Sequence, residues 1–214
     1  MKQQEPLLQI AFDILSINEA IAIAETIYPY FDIAEIGTPL IIEEGMYVVE
    51  AIKTQLPNQK CLADLKIMDA GGIEARSGFV RGANIVTVLA AADDVTISNA
   101  LVQATKFDGE IMVDLINISN PAERAKQLED MGVETVCVHT AYDVQSAANN
   151  PLEELSIVRS AVSCKVAVAG GLKRDNVQEV MDAGANIIIV GSAITKNPDP
   201  ASEARAIFDI IHKN

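Results

Sequence analysis

Arg81-Gly-Ala-Asn-Ile85 and Ala183-Gly-Ala-Asn-Ile187 are near copies, and they lead into the aliphatic runs Asn84–Leu89 (NIVTVL) and Asn186–Gly191 (NIIIVG). Each copy places a glycine, the usual residue just past a helix end, directly before a strand-like segment. Six further runs of the same kind surround them. They are Leu7–Asp13 (LLQIAFD), Phe31–Gly37 (FDIAEIG), Cys61–Lys66 (CLADLK), Glu110–Leu115 (EIMVDL), Glu134–His139 (ETVCVH) and Cys164–Gly170 (CKVAVAG). Successive starts are 24, 30, 23, 26, 24, 30 and 22 residues apart. That spacing fits one strand, one helix of about three turns and two short loops, the βαβ unit.

Helix signals fill the intervals. Ser16-Ile-Asn-Glu19 reads as a capping box before Ala20–Ile27. Asp93-Asp94 precedes Val95–Thr105, and Asn120-Pro121 puts a cap and a first-turn proline before Ala122–Met131. Asp175 is expected to open Asn176–Ala183, and Pro200 to open Ala201–His212. Gly82, Gly132 and Gly184 stand where helices should stop. Alternating strands and helices with continuously apolar strands imply a parallel sheet covered on both faces. Eight such units predict an α/β fold of the (β/α)8 TIM-barrel type, one domain over residues 1–214. An open doubly wound sheet is the alternative, but it would want a Gly-x-Gly-x-x-Gly turn after the first run, where Asp13-Ile-Leu-Ser-Ile-Asn18 has no glycine.

The 214 residues carry 30 Asp and Glu against 16 Lys and Arg, a net charge of −14; half are apolar, 4% are aromatic and none is Trp. This balance disfavours nucleic acid and anionic membranes as partners, since phosphate needs a cationic face. No apolar run approaches the ~20 residues of a membrane span, and Met1–Pro6 (MKQQEP) lacks the apolar core of a signal peptide. Cys61, Cys137 and Cys164 are widely spaced beside apolar runs and read as buried thiols of a reducing cytoplasm, not as a disulfide or metal site.

Barrel sites lie at the C-terminal ends of the strands. There the sequence puts Asp13, Glu35, Asp64-Leu-Lys66, Asp114 and His139, while Asp32, Glu110, Glu134 and Lys165 fall at the opposite ends. A period of two turns Asp64 and Lys66 to one face, and the phase that turns His139 inward sends Val136 and Val138 outward. Ionisable ends on five of the first six strands read as a site, against the plainer reading of a solvated rim. The seventh and eighth runs end in Ala169-Gly-Gly-Leu172 and Val190-Gly-Ser-Ala193. In a barrel these two loops commonly cradle phosphate, although glycine also serves ordinary turns. Glu35 and Asp64 offer hard oxygens suited to Mg²⁺. With Asp64 beside it and Asp69 close in sequence, Lys66 is expected to stay cationic and to face a developing oxyanion rather than act as a Schiff-base nucleophile. His139 suits proton transfer at carbon, and His212, in the last helix, is expected at the surface. Residues alone thus reach a metal-assisted enediolate reaction on a phosphorylated sugar.

At Asp64-Leu-Lys-Ile-Met-Asp69 the Asp-x-Lys-x-x-Asp pattern resembles the orotidine 5′-monophosphate decarboxylase suprafamily. Leu62–Gly71, Val113-Asp-Leu-Ile-Asn117, Val138–Asp143 with Gln145, Val166–Gly171, Val190–Ile194 and Asp199-Pro-Ala201 look like its 3-hexulose-6-phosphate synthase branch, over nearly the whole chain. The resemblance implies an aldehyde-lyase: Mg²⁺-dependent, reversible aldol condensation of formaldehyde with the phosphorylated pentulose D-ribulose 5-phosphate. It implies Glu35 and Asp64 at the metal and Lys66 on a 1,2-enediolate. His139 would handle the C1 proton, with Asp69 and Asp114 in the catalytic set. Asp13 and Asp69 would contact sugar hydroxyls, and Gly170, Gly171, Gly191 and Ser192 the phosphate. It also implies a homodimer in which Asp69 reaches the neighbouring site. The related 3-keto-L-gulonate 6-phosphate decarboxylases carry Glu, Arg, Thr and Arg where this chain has Asp114, Tyr142, Ala169 and Ser192. Asp114, Ala169 and Ser192 are synthase-like. Tyr142 departs from both patterns, since synthases tend to have a small aliphatic residue there. A non-catalytic sugar-phosphate-binding barrel is a third reading, disfavoured by a lysine kept between carboxylates.

Overall fold

The computed structural model describes residues 5–144 and 151–212, so Gln145 and the first four residues of the Met1–Pro6 segment lie outside the described residues. Among the described residues eight strands occur: β1 (Leu7–Phe12), β2 (Ile33–Ile36), β3 (Lys60–Ile67), β4 (Ile85–Leu89), β5 (Glu110–Asp114), β6 (Thr135–His139), β7 (Lys165–Ala169) and β8 (Ile187–Val190). Each pairs in parallel with the next, and β8 returns to β1 with Ile187 opposite Leu7. That closure excludes the open sheet and bears out the (β/α)8 barrel.

Outside the sheet run α1 (Ile17–Ile27), α2 (Thr38–Glu44), α3 (Tyr47–Gln55), α4 (Gly71–Phe79), α5 (Asp94–Phe107), α6 (Pro121–Asp130), α7 (Pro151–Ala161), α8 (Arg174–Asp182), α9 (Ser192–Thr195) and α10 (Pro200–His212). The long interval before β3 is explained by two helices, α2 and α3, separated at Gly45 with φ of +77°. Several starts differ from expectation. Ser16 does cap α1, accepting from the Glu19 amide at 3.5 Å. Asn120 is the cap residue of α6 with Pro121 in its first turn, as expected, but its side-chain amide donates to Glu123 at 2.6 Å and accepts from no helix amide. Asp175 does not open α8. Lys173 is the cap residue, and Asn176 Oδ1 accepts from its N–H at 2.9 Å. Asp199 Oδ1 accepts from the Ser202 N–H at 3.0 Å, so the residue before Pro200 caps α10.

The repeated Gly-Ala-Asn-Ile does the same work twice. Gly82 and Gly184 have φ of +91° and +94°. The next residue's N–H reaches back to the helix, Ala83 to Gly78 O and Ala185 to Val180 O, both at 3.3 Å. This is the Schellman stop, which needs a left-handed residue that glycine supplies without a Cβ clash. Asn84 Oδ1 then accepts from the Cys61 N–H at 3.0 Å, and Asn186 Oδ1 from the Val166 N–H at 2.9 Å. Each asparagine also takes a cation from the helix before, Lys53 or Arg159. One motif therefore ends a helix and pins the preceding strand at two places half a barrel apart.

Strand alternation divides the core in two. Val136, Val138, Val166, Val168, Ile188 and Val190 face the helices, in one layer with Leu128, Leu155 and Ile207. Ile33, Leu62, Ile85, Met112, Cys137, Ala167 and Ile187 fill the barrel interior. This packed belt closes the barrel below the strand ends, so the polar side chains above it stand on an apolar floor. Cys61, Cys137 and Cys164 are free thiols, the first two buried and Cys164 half-buried. His212 is not a surface residue. Its ring packs on Phe208 with centroids 4.1 Å apart, and Nε2 lies 3.0 Å from Asp32 Oδ2, which also accepts from the Leu8 N–H at 2.7 Å. No helix among the described residues is long and apolar enough to cross a membrane.

Candidate active site

Above the apolar belt the next inward position of successive strands is polar: Glu35 on β2, Asp64 on β3, Thr87 on β4, Asp114 on β5 and His139 on β6. Glu35, Asp64 and Asp114 are only 8%, 4% and 3% exposed. Burying three carboxylates so close together is costly unless each finds a partner.

Lys66 is the common partner. Its Nζ lies 2.9 Å from Asp64 Oδ2 and 3.2 Å from Asp114 Oδ2. Asp64 and Lys66 do meet, as the sequence suggests, though not through simple alternation. The β3–β4 register shifts between Ala63 and Ile67, and Lys66 has a left-handed φ of +45°. This bulge swings the lysine back over the strand end. A left-handed backbone costs a residue with a Cβ roughly 1–2 kcal/mol, a strain that bulges at functional sites commonly carry.

The surrounding bonds hold the pair. Thr87 Oγ1 donates to Asp64 Oδ1 at 2.7 Å and accepts from the Lys66 N–H at 2.9 Å. Thr38 Oγ1 lies 2.8 Å from Asp64 Oδ2. Asp114 Oδ1 accepts from the Ile116 N–H at 2.9 Å, and its Oδ2 is 2.8 Å from His139 Nδ1. Gln9 Nε2 donates to Glu35 Oε2 at 2.6 Å.

Charges follow from these contacts. Burial works against the Lys66 cation, but Asp64 and Asp114 outweigh it and hold its pKa above the ordinary lysine value. The cationic lysine expected from sequence is present, with Asp114 rather than Asp69 as its second anion. Burial opposes ionisation of Asp114 too, yet the His139 hydrogen bond and charge, with Lys66, bring it below the usual aspartate value. Glu35 goes the other way: burial first, then Asp64 and Asp13, push it up to about 8. Asp13 is also raised, by burial and by Asp64. Asp114 is therefore ionised. Because a carboxylate only accepts, Nδ1–H of His139 donates to it, and in the neutral imidazole Nε2 is then the nitrogen with the free lone pair.

Asp13, Glu35, Asp64, Lys66 and His139 line one cavity of about 570 Å³ with Gly170, Gly171, Gly191 and Ser192. Asp114 lies beneath it, and Asp69 is exposed outside it, its Oδ1 accepting from the Ala70 N–H at 2.6 Å. Two glycines here tolerate no side chain. A Cβ on Gly37 would sit 2.2 Å from Asp13 Oδ1, and one on Gly170, at φ +104°, would sit 2.4 Å from Thr140 O. Tyr142, in a 3₁₀ turn at the rim, is 72% exposed. Sequence reasoning missed Thr38, Thr87 and Gln9, which no motif marks, and Lys196, which lines the cavity beyond α9.

The donor set fits a hard divalent cation. Only oxygens are offered by Asp13, Glu35 and Asp64, and the Asp64 charge helps to raise the proton affinity of Asp13 and Glu35, so that positive charge beyond Lys66 would relieve them. Among the described residues no three metal-ligating side chains converge as a ready-made site. Mg²⁺, which keeps water and substrate oxygens as ligands, needs only one or two carboxylates.

The charged floor and the opposite glycine wall define the class of protein, a barrel enzyme with its site at the C-terminal mouth. Comparison with known proteins narrows it. Residues 6–207 match the family described as orotidine 5′-phosphate decarboxylase / HUMPS. The chain is similar to the 3-hexulose-6-phosphate synthase of Bacillus subtilis, at 43% identity over 205 residues covering 95% of this chain and 98% of that one. Its fold matches the crystal structure of 3-hexulose-6-phosphate synthase from Salmonella typhimurium with a TM-score of 0.94 at 36% identity, covering 97% and 99% of the two chains. A 3-keto-L-gulonate-6-phosphate decarboxylase from Vibrio cholerae matches with a TM-score of 0.86 at 25% identity, covering 98% and 99%. The chain belongs to the orotidine 5′-phosphate decarboxylase / HUMPS family, and it is an enzyme of the lyase kind.

Proposed function

We propose that the protein catalyses the Mg²⁺-dependent, reversible aldol condensation of formaldehyde with D-ribulose 5-phosphate, giving D-arabino-hex-3-ulose 6-phosphate. The observation that carries this reading is the unbroken chain Asp64–Lys66–Asp114–His139, whose contacts are 2.9, 3.2 and 2.8 Å. It sets a fixed cation beside a histidine base on a single carboxylate.

The glycine turns after β7 and β8, with Ser192, would hold the phosphate and direct C1 and C2 of the pentulose to the floor. His139 Nε2 takes a proton from C1. Lys66 faces the oxygen that gains charge as the enediolate forms, where a partly buried, preorganised cation is worth more than one in water. The enediolate carbon then bonds to formaldehyde. The proton on His139 passes to the oxygen that was the aldehyde's, so proton and charge balance. Asp114 keeps the imidazole in the required tautomer throughout. Asp13 and Asp69 would bind sugar hydroxyls. Glu35 and Asp64 would hold Mg²⁺, which when bound supplies Lewis-acid polarisation of the pentulose oxygens.

The same floor could serve decarboxylation of 3-keto-L-gulonate 6-phosphate. The synthase is favoured by Asp114, Ala169 and Ser192, by the absence of a cation at Tyr142 and Ser192, and by the higher identity to relatives named synthases. Because Tyr142 stands exposed at the rim, its bulk does not fill the floor.

We also assign a homodimer with shared sites. Asp69 lies outside its own chain's cavity, and exposed Met68 and Ile73 flank it, an arrangement suited to a second copy. Sedimentation should give a dimer, and a stable monomer with full activity would remove this part. Three free thiols suit a reducing cytoplasm.

Purified protein with ribulose 5-phosphate and formaldehyde tests the reaction. Formaldehyde should disappear with Mg²⁺ and persist with EDTA. No loss, together with CO₂ release from 3-keto-L-gulonate 6-phosphate, would assign the decarboxylase instead.

A further inference from the structure

We propose that Thr87, on β4, is the positioning residue that holds Lys66 and Asp64 in working geometry. The proposal rests on the reading of the site as an enediolate-forming centre.

Thr87 is 5% exposed, and its hydroxyl uses both of its capacities on β3. It donates to Asp64 Oδ1 at 2.7 Å and accepts from the Lys66 N–H at 2.9 Å. Among the described residues no other side chain bonds both the Asp64 carboxylate and the Lys66 backbone N–H. Thr38 reaches the carboxylate and the backbone O of Asp64 but not Lys66, and Asp114 meets Lys66 only at its ammonium. The bulge explains why such a tether is needed. Between Ala63 and Ile67 the β3–β4 register slips, so the Lys66 N–H loses its place in the ladder while Lys66 is held at a left-handed φ of +45°. A buried amide with no acceptor is costly, and the Thr87 oxygen supplies one.

The hydroxyl also fixes the order of donors on Asp64. With Thr87 on Oδ1 and Thr38 on Oδ2, the carboxylate cannot rotate away from the ammonium. Losing the Thr87 hydroxyl would release the Lys66 N–H and one Asp64 oxygen together, with Thr38 left holding the rest of Asp64. The consequence falls on the step that Lys66 stabilises and not on binding of the phosphate, which the β7 and β8 loops serve.

The test uses Thr87→Val, nearly the same shape without the hydroxyl, and Thr87→Ser, which keeps the hydroxyl and drops the methyl. Thr87→Val should lower kcat by about 10- to 100-fold, the usual effect of removing a group that orients a functional side chain. The KM for ribulose 5-phosphate should stay near wild type, and Thr87→Ser should recover most of kcat. If Thr87→Val does not fold, Thr87→Ala against Thr87→Ser makes the same comparison, with Ala low and Ser high. Wild-type kcat in the hydroxyl-free variant, or equal loss in Ser and Val, would overturn the proposal.

Amide hydrogen exchange in substrate-free protein separates this idea from the reaction assignment. The Lys66 N–H should be protected in wild type and in Thr87→Ser, and should exchange faster in the hydroxyl-free variant. Equal exchange in all would refute the tether even if the enzyme turns over. Protection that follows the hydroxyl, in a protein that consumes no formaldehyde, would keep the tether and discard the reaction.

Discussion

The two mouths of the barrel use the same ingredients to opposite ends. At the N-terminal mouth Glu110 takes Lys165 at 3.1 Å and a hydrogen bond from Thr135, while Asp32 takes His212 and the Leu8 amide. Each of these two carboxylates has its own partners, and the Glu110–Lys165 pair is partly exposed. At the C-terminal mouth, by contrast, Asp64 and Asp114 share the Lys66 ammonium, Asp13 and Glu35 feel it only at a distance, and His139 bonds Asp114. Satisfied pairs near water hold strands and α10 in place. Carboxylates in excess, three of them buried on an apolar floor with Asp13 exposed above, hold a cation and a base ready and leave charge to be met by a ligand. Local stability is given up at the second mouth for chemistry.

Changes at the two mouths should therefore behave differently. The largest effect is expected from Lys66→Ala. Turnover should fall by about 10²–10³-fold, the scale of losing a preorganised oxyanion partner. Stability should fall too, by about 3–5 kcal/mol, because buried Asp64 and Asp114 lose their counter-charge. Steady-state kinetics and denaturant unfolding of one preparation read both.

Glu35 gives a pH signature to metal-free protein. Its pKa, pushed by burial and by Asp64 and Asp13 from an ordinary 4.5 to about 8, means that folding favours the protonated form. The stability it contributes is fully present below about pH 4.5 and is lost as pH rises through 8. In EDTA, Tm should be lower at pH 9 than at pH 6, and Glu35→Gln should flatten that fall. Mg²⁺ should raise Tm more at the higher pH, where the carboxylate is free to bind it. A slope unchanged in Glu35→Gln would assign the titration to another group.

At the other mouth effects should be smaller and confined to stability. His212→Ala should cost about 1 kcal/mol, the net worth of a hydrogen bond, and leave kcat unchanged. Lys165→Ala should cost less than about 1 kcal/mol because the pair is partly exposed. A loss of turnover in either variant would break the division between the two ends.

The division was partly legible in the sequence. All eight strands stood out because strands buried on both faces read as continuous aliphatic runs, and the repeated Gly-Ala-Asn-Ile marked helix stops. Asp13, Glu35, Asp64, Lys66, Asp114 and His139 fell at strand ends, where a barrel gathers them whatever the loops do. What could not be read depends on contacts between units. Alternation alone turned Lys66 inward, but a bulge and the Thr87 hydroxyl of the next strand put it there. His212 looked like a surface residue because its partner Asp32 lies 180 positions away. Asp175 looked like a cap because capping is decided by backbone angles one or two residues away, which composition does not give.

The central claim is that this floor removes a proton from C1 of the pentulose phosphate. Ribulose 5-phosphate in D₂O with Mg²⁺ and no formaldehyde tests it most directly, followed by proton NMR. The account predicts enzyme-dependent deuterium at C1, lost in Lys66→Ala. Formaldehyde consumption by wild type with no exchange at C1 would contradict it.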